Sequence, residues 1–254
     1  MTHGLTAVDH LLALVLAIFF PIRSATFGYR HLKRAADADV PRVRMWLYRQ
    51  AMTIQWTLVA GLAVLWVWRV RSWAGLGLVW HPDARTGWTA AVVAALIIGV
   101  AVQLPRALRD PEALARIRRR LGHVRRMMPA APHEMRTFYL LSFTAGVCEE
   151  LLYRGYLLWY ARHFLPWPAA AVLAVVLFGI GHSYQGPGGI LTTMIAGAAL
   201  MTLYLTSGSL YIPMLVHTLM DSYSGTLGRR AFAAEPAAAG VAAAEAVTAP
   251  PAGP

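Results

Sequence analysis

The pattern of hydropathy constrains this chain more than any other feature of its sequence. Seven long apolar segments alternate with turn-forming or basic connections, at residues 5–22, 51–70, 88–104, 137–160, 169–182, 190–205 and 210–227. Segments of this kind are typical of helices that cross a bilayer. With 57% hydrophobic residues, 14% charged residues and a mean hydropathy of +0.49, the chain is too apolar for a soluble globular domain. The sequence therefore predicts an all-α polytopic membrane protein, a bundle of about seven transmembrane helices.

The basic residues are unevenly distributed, and their positions predict an orientation. Sixteen of the 23 Lys and Arg residues lie in the connections 23–49 and 106–136, which account for most of the net charge of +11. Loops rich in Lys and Arg stay on the cytoplasmic side of a membrane. We therefore expect a bacterial plasma-membrane protein with its N-terminus outside and with both basic loops and its C-terminus in the cytoplasm. No nucleic-acid motif accompanies the charge, so we expect no nucleic-acid partner.

The second basic connection has a helical pattern of its own. Leu114, Ile117, Leu121 and Val124 recur at three- and four-residue spacing among arginines. This pattern predicts an amphipathic helix that lies on anionic lipid. The predicted organisation is thus an N-terminal region (1–136) of about three spans with two basic loops, a four-helix membrane core (137–228), and a disordered Ala/Pro-rich tail (229–254).

Ionisable side chains inside apolar segments are costly and need an explanation. Once Arg162 and His163, which lie at the end of a segment, are set aside, the predicted core contains six of them: Glu149, Glu150, Arg154, His182, His217 and Asp221. Glu150 and Arg154 are four residues apart, which favours an ion pair that fixes the helix in place. Glu149 is turned by about 100° from Glu150, so the pair leaves it unsatisfied and we expect it to face a cavity.

The other three ionisable groups, His182, His217 and Asp221, belong to two pairs of residues at helical spacing. Phe178 and His182 share one face of the fifth segment, and His217 and Asp221 share one face of the seventh. Each pair has a purely structural explanation as a hydrogen-bonded packing pair. Because three segments each supply ionisable groups that can activate water or stabilise an anion, the pattern favours a catalytic site over separate structural pairs. The carboxylate of Asp221 could also fix the tautomer of the His217 imidazole.

Two chemistries are open to these side chains. In the first, Glu149 and His182 activate a water molecule that attacks an amide carbonyl, while His217 and Asp221 face the developing oxyanion. In the second, a zinc ion is bound by side chains from the set Glu149, His182, His217 and Asp221. A His-Glu-x-x-His run is missing, which excludes the usual soluble zinc-protease arrangement.

In its order of motifs the core resembles the CAAX protease and bacteriocin-processing family (CPBP, or Abi) of intramembrane proteases. That family has Glu-Glu-x-x-x-Arg, then Phe-x-x-x-His, then His-x-x-x-Asn or Asp. The matching positions are Glu149, Glu150 and Arg154, then Phe178 and His182, then His217 and Asp221. The resemblance covers residues 137–227 and depends on the ordered set, because each motif is weak alone.

The resemblance implies an intramembrane endopeptidase, metal-dependent or of the glutamate type, that hydrolyses a membrane-associated peptide or protein. Glu149 and His182 would activate water, His217 and Asp221 would line the oxyanion site, and Glu150, Arg154 and Phe178 would position them. Asp221 departs from the Asn of the prenyl-protein-processing members, and an ionised aspartate there would repel an oxyanion. The competing hypotheses are a non-catalytic scaffold that binds a membrane partner and a proton-coupled carrier.

Overall fold

The computed structural model describes residues 4–233, apart from the side chains of residues 24 and 25, and this part of the chain is built from helices without strands. The helices of eight or more residues are α1 (Ala7–Arg34), α2 (Val40–Trp68), α3 (Ala84–Ala107), α4 (Pro111–Leu121), α5 (Pro132–Glu149), α6 (Trp167–Gly181), α7 (Gly186–Ser207) and α8 (Tyr211–Ala233). After α5 the chain continues as a π-helical segment, Glu150–Leu157, and a last α-helical turn, Leu158–Ala161. Short 3₁₀ turns lie between helices at Asp37–Asp39, Trp73–Leu76, Gly122–Met127 and Ser183–Gln185.

The protein is an integral membrane protein, but only part of the predicted span count is confirmed. Within residues 4–233, four helical stretches are long and apolar enough to cross a membrane. Two of them are α1 and α3. The other two are α2 and α7, each taken together with the 3₁₀ turn that precedes it. Helix α6 is apolar but has only 15 residues. The count of seven is therefore not established, although all seven predicted apolar segments are largely helical.

The first basic connection is not a loop, contrary to the sequence-based expectation for residues 23–49. Helix α1 runs on to Arg34 and α2 begins at Val40, so only a short turn separates them. Pro41 suits the first turn of α2, where its missing N–H is not needed. Arg126 donates to the carbonyl oxygens of Lys33 and Ala35, which satisfies part of the C-terminal end of α1.

The predicted amphipathic helix in the second basic connection is confirmed as α4, which Asp110 caps through the backbone amides of Glu112 and Ala113. Its environment differs from the expected lipid surface. Leu114 is buried, α4 packs against α8, and Arg118 donates to the carbonyl oxygen of Ala231 at 3.0 Å. The apolar face of this helix is covered at least in part by the protein itself.

The predicted disordered tail begins inside a helix. Residues 229–233 continue α8, which ends at Ala233. The rest of the predicted tail, residues 234–254, lies outside the described residues.

The centre of the bundle is α5, which packs against α2 on one side and α8 on the other. At Gly146 a Cβ atom would lie 2.8 Å from the backbone nitrogen of Thr218 and 2.9 Å from the carbonyl oxygen of Met214. Only glycine permits the backbones of α5 and α8 to come this close. This approach brings the C-terminal end of α5 beside the N-terminal half of α8, where His217 lies.

Candidate active site

Glu150 is the centre of a hydrogen-bonded cluster at the start of the π-helical segment. Its Oε1 atom accepts from Arg154 Nη1 at 2.9 Å and from His217 Nδ1 at 2.8 Å, and its side chain is fully buried. π-helical turns inside α-helices are uncommon and frequently occur at functional sites, and α1 contains two more, at Val15–Phe19 and Ser24–Gly28. Through these two hydrogen bonds, Glu150 pairs with Arg154 and also connects its own helical segment to α8.

Arg154 completes the support of this cluster. Its second terminal nitrogen, Nη2, donates to the carbonyl oxygen of Gly197 on α7 at 3.1 Å, and its guanidinium lies 4.1 Å from the ring centroid of Phe178. A Cβ atom at position 197 would come within 3.0 Å of the Phe178 ring and 3.1 Å of Arg154 Nη2. Together these contacts tie the π-helical segment to α6 and α7.

Glu149 has surroundings unlike those of Glu150. It is buried, and Gln55 on α2 donates from Nε2 to its Oε1 at 2.9 Å. Among the described residues its other oxygen, Oε2, is buried without a hydrogen-bond partner, as is Oε2 of Glu150. The difference is that Glu149 Oε2 lies 3.9 Å from His182 Nε2 and 4.0 Å from His217 Nε2.

The tautomer of His182 follows from its hydrogen bond. His182 caps the C-terminal end of α6, and its Nδ1 lies 2.9 Å from the carbonyl oxygen of Phe178. A carbonyl oxygen can only accept, so Nδ1 carries the hydrogen and Nε2 of the neutral ring is left as an acceptor. That acceptor is the nitrogen that faces Glu149.

His217 is oriented by a different carboxylate from the one that the sequence suggested. Glu150 accepts from its Nδ1, whereas Asp221 Oδ2 lies 3.8 Å from its Nε2, beyond hydrogen-bonding distance. The side chain of Asp221 is 43% exposed. Asp221 therefore lies beside the cluster and does not fix the His217 tautomer.

A cavity of about 1050 Å³ connects these groups to the end of the bundle at α4. Glu149, His182, His217 and Asp221 all line it, and Ile117 of α4 lines it as well. Its volume is at the upper end of the range for ligand pockets. The four residues predicted to carry the chemistry therefore face one common space that is large enough for an extended peptide segment.

A metal site is not apparent in this arrangement. Among residues 4–233, no three His, Cys, Asp or Glu side chains are grouped in a way that could hold a metal ion. The separations of 3.8 to 4.0 Å between the free nitrogen and oxygen atoms are wider than the spacing of ligands around one zinc ion, which is about 3.3 Å for bonds near 2.0 Å. As they are placed here, these side chains do not fit a zinc centre.

Comparison with known families adds an independent observation. Residues 131–223 match the family described as Type II CAAX prenyl endopeptidase Rce1-like. Over this segment, which is less than half of the chain, the protein is similar to the Rce1-like family. The resemblance predicted from the ordered motifs is confirmed, and the match indicates a protease. No curated protein and no solved structure matches the chain significantly.

The Rce1-like segment contains every site residue that the sequence predicted, but it does not contain the whole site. Gln55 lies outside it, on α2, and contacts Glu149 directly. The bond between Glu150 and His217 was also missed, since it joins residues that are far apart in the chain. The signal for Gln55 in the sequence is that an amide side chain stands near the start of an apolar segment.

Proposed function

We propose that the protein is an intramembrane endopeptidase in which Glu149 and His182 activate a water molecule for attack on a peptide bond. The observation that carries this proposal is the unpartnered Oε2 atom of Glu149, which faces the free Nε2 atoms of two histidines across about 4 Å. Buried polar atoms are almost always paired, and an exception calls for an explanation such as a water or a catalytic role. A water molecule satisfies both explanations here.

The distance between Glu149 Oε2 and His182 Nε2 suits one bridging water. At 3.9 Å the two atoms are too far apart for a direct hydrogen bond, but a water about 2.8 Å from each can bond to both. Both atoms are acceptors when the glutamate is ionised and the histidine is neutral. The water would then donate one hydrogen to each, and its lone pairs would be left for the carbonyl carbon.

Each proton and bond in the proposed hydrolysis has an assigned place. Glu149 takes a proton from the water as the new C–O bond forms, and the carbonyl oxygen becomes an oxyanion. Protonated His217 would donate from Nε2 to that oxyanion, with Glu150 holding its Nδ1. Transfer of the proton from Glu149 to the amide nitrogen then accompanies cleavage of the C–N bond. Asp221 would have to be neutral, or turned away, as the oxyanion develops.

The substrate in this proposal is a membrane-associated peptide or protein. The cavity joins the catalytic groups to the end of the bundle that carries the basic residues, so a tethered chain could enter from that side. The matched family is described as a prenyl endopeptidase, which makes a lipid-modified C-terminal peptide one member of this substrate class. Anionic lipid around the basic residues, with that end of the bundle in the cytoplasm, remains part of the proposal.

The proposed function is tested by cleavage of a membrane-tethered peptide with purified, lipid-reconstituted protein. We expect Glu149→Ala and His182→Ala each to abolish cleavage while insertion and thermal stability are retained. The exposed His163, in the turn that follows Leu158–Ala161, offers a control: His163→Ala should cleave as the wild type does. Full activity in Glu149→Ala would reject the proposal, and loss of uptake or of partner capture without any peptide cleavage would favour a carrier or a scaffold.

A further inference from the structure

Gln55 makes a contact that no motif of the chain anticipates. It is 4% exposed in the middle of α2, and its Nε2 donates to Glu149 Oε1. Because a carboxylate can only accept from an amide, this bond fixes the orientation of the Gln55 amide group. It also determines which oxygen of Glu149 is left for chemistry, namely Oε2.

The other end of the same amide is unpaired. Gln55 Oε1 is buried and has no hydrogen-bond donor among the described residues, and Gln55 lines the cavity together with Glu149. An acceptor that is buried without a donor is costly, so a group that enters the cavity should supply one. In the proposed hydrolysis both hydrogens of the water already point to Glu149 Oε2 and His182 Nε2. A bound peptide brings such a donor into the cavity, namely a backbone N–H.

We propose that Gln55 is a substrate-binding and positioning residue: its Nε2 holds Glu149 in place, and its Oε1 accepts a hydrogen bond from a backbone N–H of the bound peptide. This proposal rests on the proposed endopeptidase function. It assigns a role to α2, which lies outside the Rce1-like segment. The ligand class is an extended peptide, because only an extended backbone presents an unpaired N–H close to a scissile bond.

The first test is a pair of matched substitutions. Gln55→Met keeps the size of the side chain but removes both hydrogen-bonding atoms, and Gln103→Met makes the same change at an exposed position of α3, away from the cavity. Hydrogen bonds to charged groups contribute enough that we expect Gln55→Met to lower kcat/KM by about ten- to a hundredfold. Gln103→Met should stay within about twofold of the wild type. Gln55→Asn, which keeps the amide but is too short to reach Glu149, should resemble Gln55→Met in activity and the wild type in thermal stability.

The second test separates substrate binding from a merely structural role. Peptides are compared in which the amide bonds that flank the scissile bond are replaced, one at a time, by esters, which lack the N–H. One such replacement should reduce wild-type kcat/KM by about tenfold and Gln55→Met by less than about twofold. Equal losses in the two proteins, or wild-type activity in well-folded Gln55→Met, would overturn the proposal. Cleavage of the all-amide peptide by the wild type tests the underlying function separately.

Discussion

Helix α5 carries a buried glutamate at each end, and the two are surrounded differently. Glu134, in the first turn, accepts from Arg44 Nη2 on both oxygens at 2.7 and 2.8 Å and from the backbone amides of Ala130 and Ala131. Glu149, the last residue, accepts only from Gln55 and keeps one oxygen without a partner in the described part of the chain. Their exposed fractions, 1% and 7%, are both small, so burial does not distinguish them.

What distinguishes the two glutamates is the number of donors each receives. A carboxylate that is fully hydrogen-bonded is held in its charged form and stabilises the fold, and the N-terminal end of a helix favours it further. Asp9 belongs to this class as well, because Arg71 donates to both of its oxygens at 2.7 and 2.8 Å. In the described part of the chain Glu149 and Glu150 each keep one buried oxygen without a hydrogen-bond partner, but Glu149 is the one that lines the cavity and faces the Nε2 atoms of two histidines.

The largest expected effect on stability comes from breaking the buried ion pair between Arg44 and Glu134. Arg44→Met leaves Glu134 buried without its cation, and we expect a loss of about 3–5 kcal/mol in the free energy of unfolding. Arg42→Met is the matched control, because Arg42 pairs with Asp39 at the surface, where its side chain is 82% exposed, and should cost less than about 1 kcal/mol. Denaturation in detergent micelles measures both. Similar losses in the two variants would mean that the buried ion pair contributes no more to the free energy of unfolding than the surface pair does.

A smaller effect on stability should follow when the pH is lowered and Glu134 is protonated. Burial alone would raise the pKa of Glu134, but the backbone amides of Ala131 and Ala130 and the Arg44 guanidinium outweigh it and hold that pKa below its ordinary value. A lowered pKa in the folded state stabilises the fold above the unfolded pKa, and this contribution is lost as the pH falls through the folded value. We expect thermal stability to fall on acidification more steeply for the wild type than for Glu134→Gln. Parallel curves would contradict this assignment.

Asp221 provides a sharper comparison within the site itself. It faces the same cavity as Glu149, but its side chain is far more exposed and makes no close bond to His217. We expect Asp221→Asn to change kcat by less than about tenfold in either direction, since general-base chemistry is assigned to Glu149 and typically contributes about a hundredfold or more. A loss as large as that of a Glu149 variant would give Asp221 a proton-transfer or ligand role.

The smallest expected effect is that of metal removal. The free atoms of Glu149, His182, His217 and Asp221 do not converge on a common ligand geometry in the described structure. Exhaustive chelation, followed by elemental analysis, should therefore leave peptide cleavage within about twofold of the untreated enzyme. Loss of activity that stoichiometric zinc restores would show that the side chains rearrange around an ion.

The sequence predicted the helical class and the residues of the core motifs, because hydropathy and local spacing determine both. Helix α5 and the π-helical segment carry Glu149, Glu150 and Arg154 as one stretch, and a spacing of four residues is enough to anticipate the Glu150–Arg154 pair. The predicted loop at residues 23–49 was wrong, because hydropathy marks where apolar sequence ends and not where a helix ends.

Contacts between distant helices could not be predicted in the same way. Gln55 meets Glu149, and Glu150 meets His217, only after α2 and α8 have packed on α5. No local pattern records that packing, apart from glycines such as Gly146 whose role is visible only when the neighbouring backbone is known. The sequence assigned His217 to Asp221 because they are four residues apart, whereas Glu150 is the carboxylate within hydrogen-bonding distance of Nδ1.

The most direct measurement compares Glu149→Gln with Glu134→Gln, the same substitution at the two ends of α5, for both peptide cleavage per folded molecule and the free energy of unfolding. Glu149→Gln should lose about a hundred- to ten-thousandfold in kcat and little or no stability. Glu134→Gln should lose stability and keep the cleavage rate of its folded fraction. Retained cleavage in Glu149→Gln, or a stability loss there equal to that of Glu134→Gln, would contradict the assignment of Glu149 as the catalytic base.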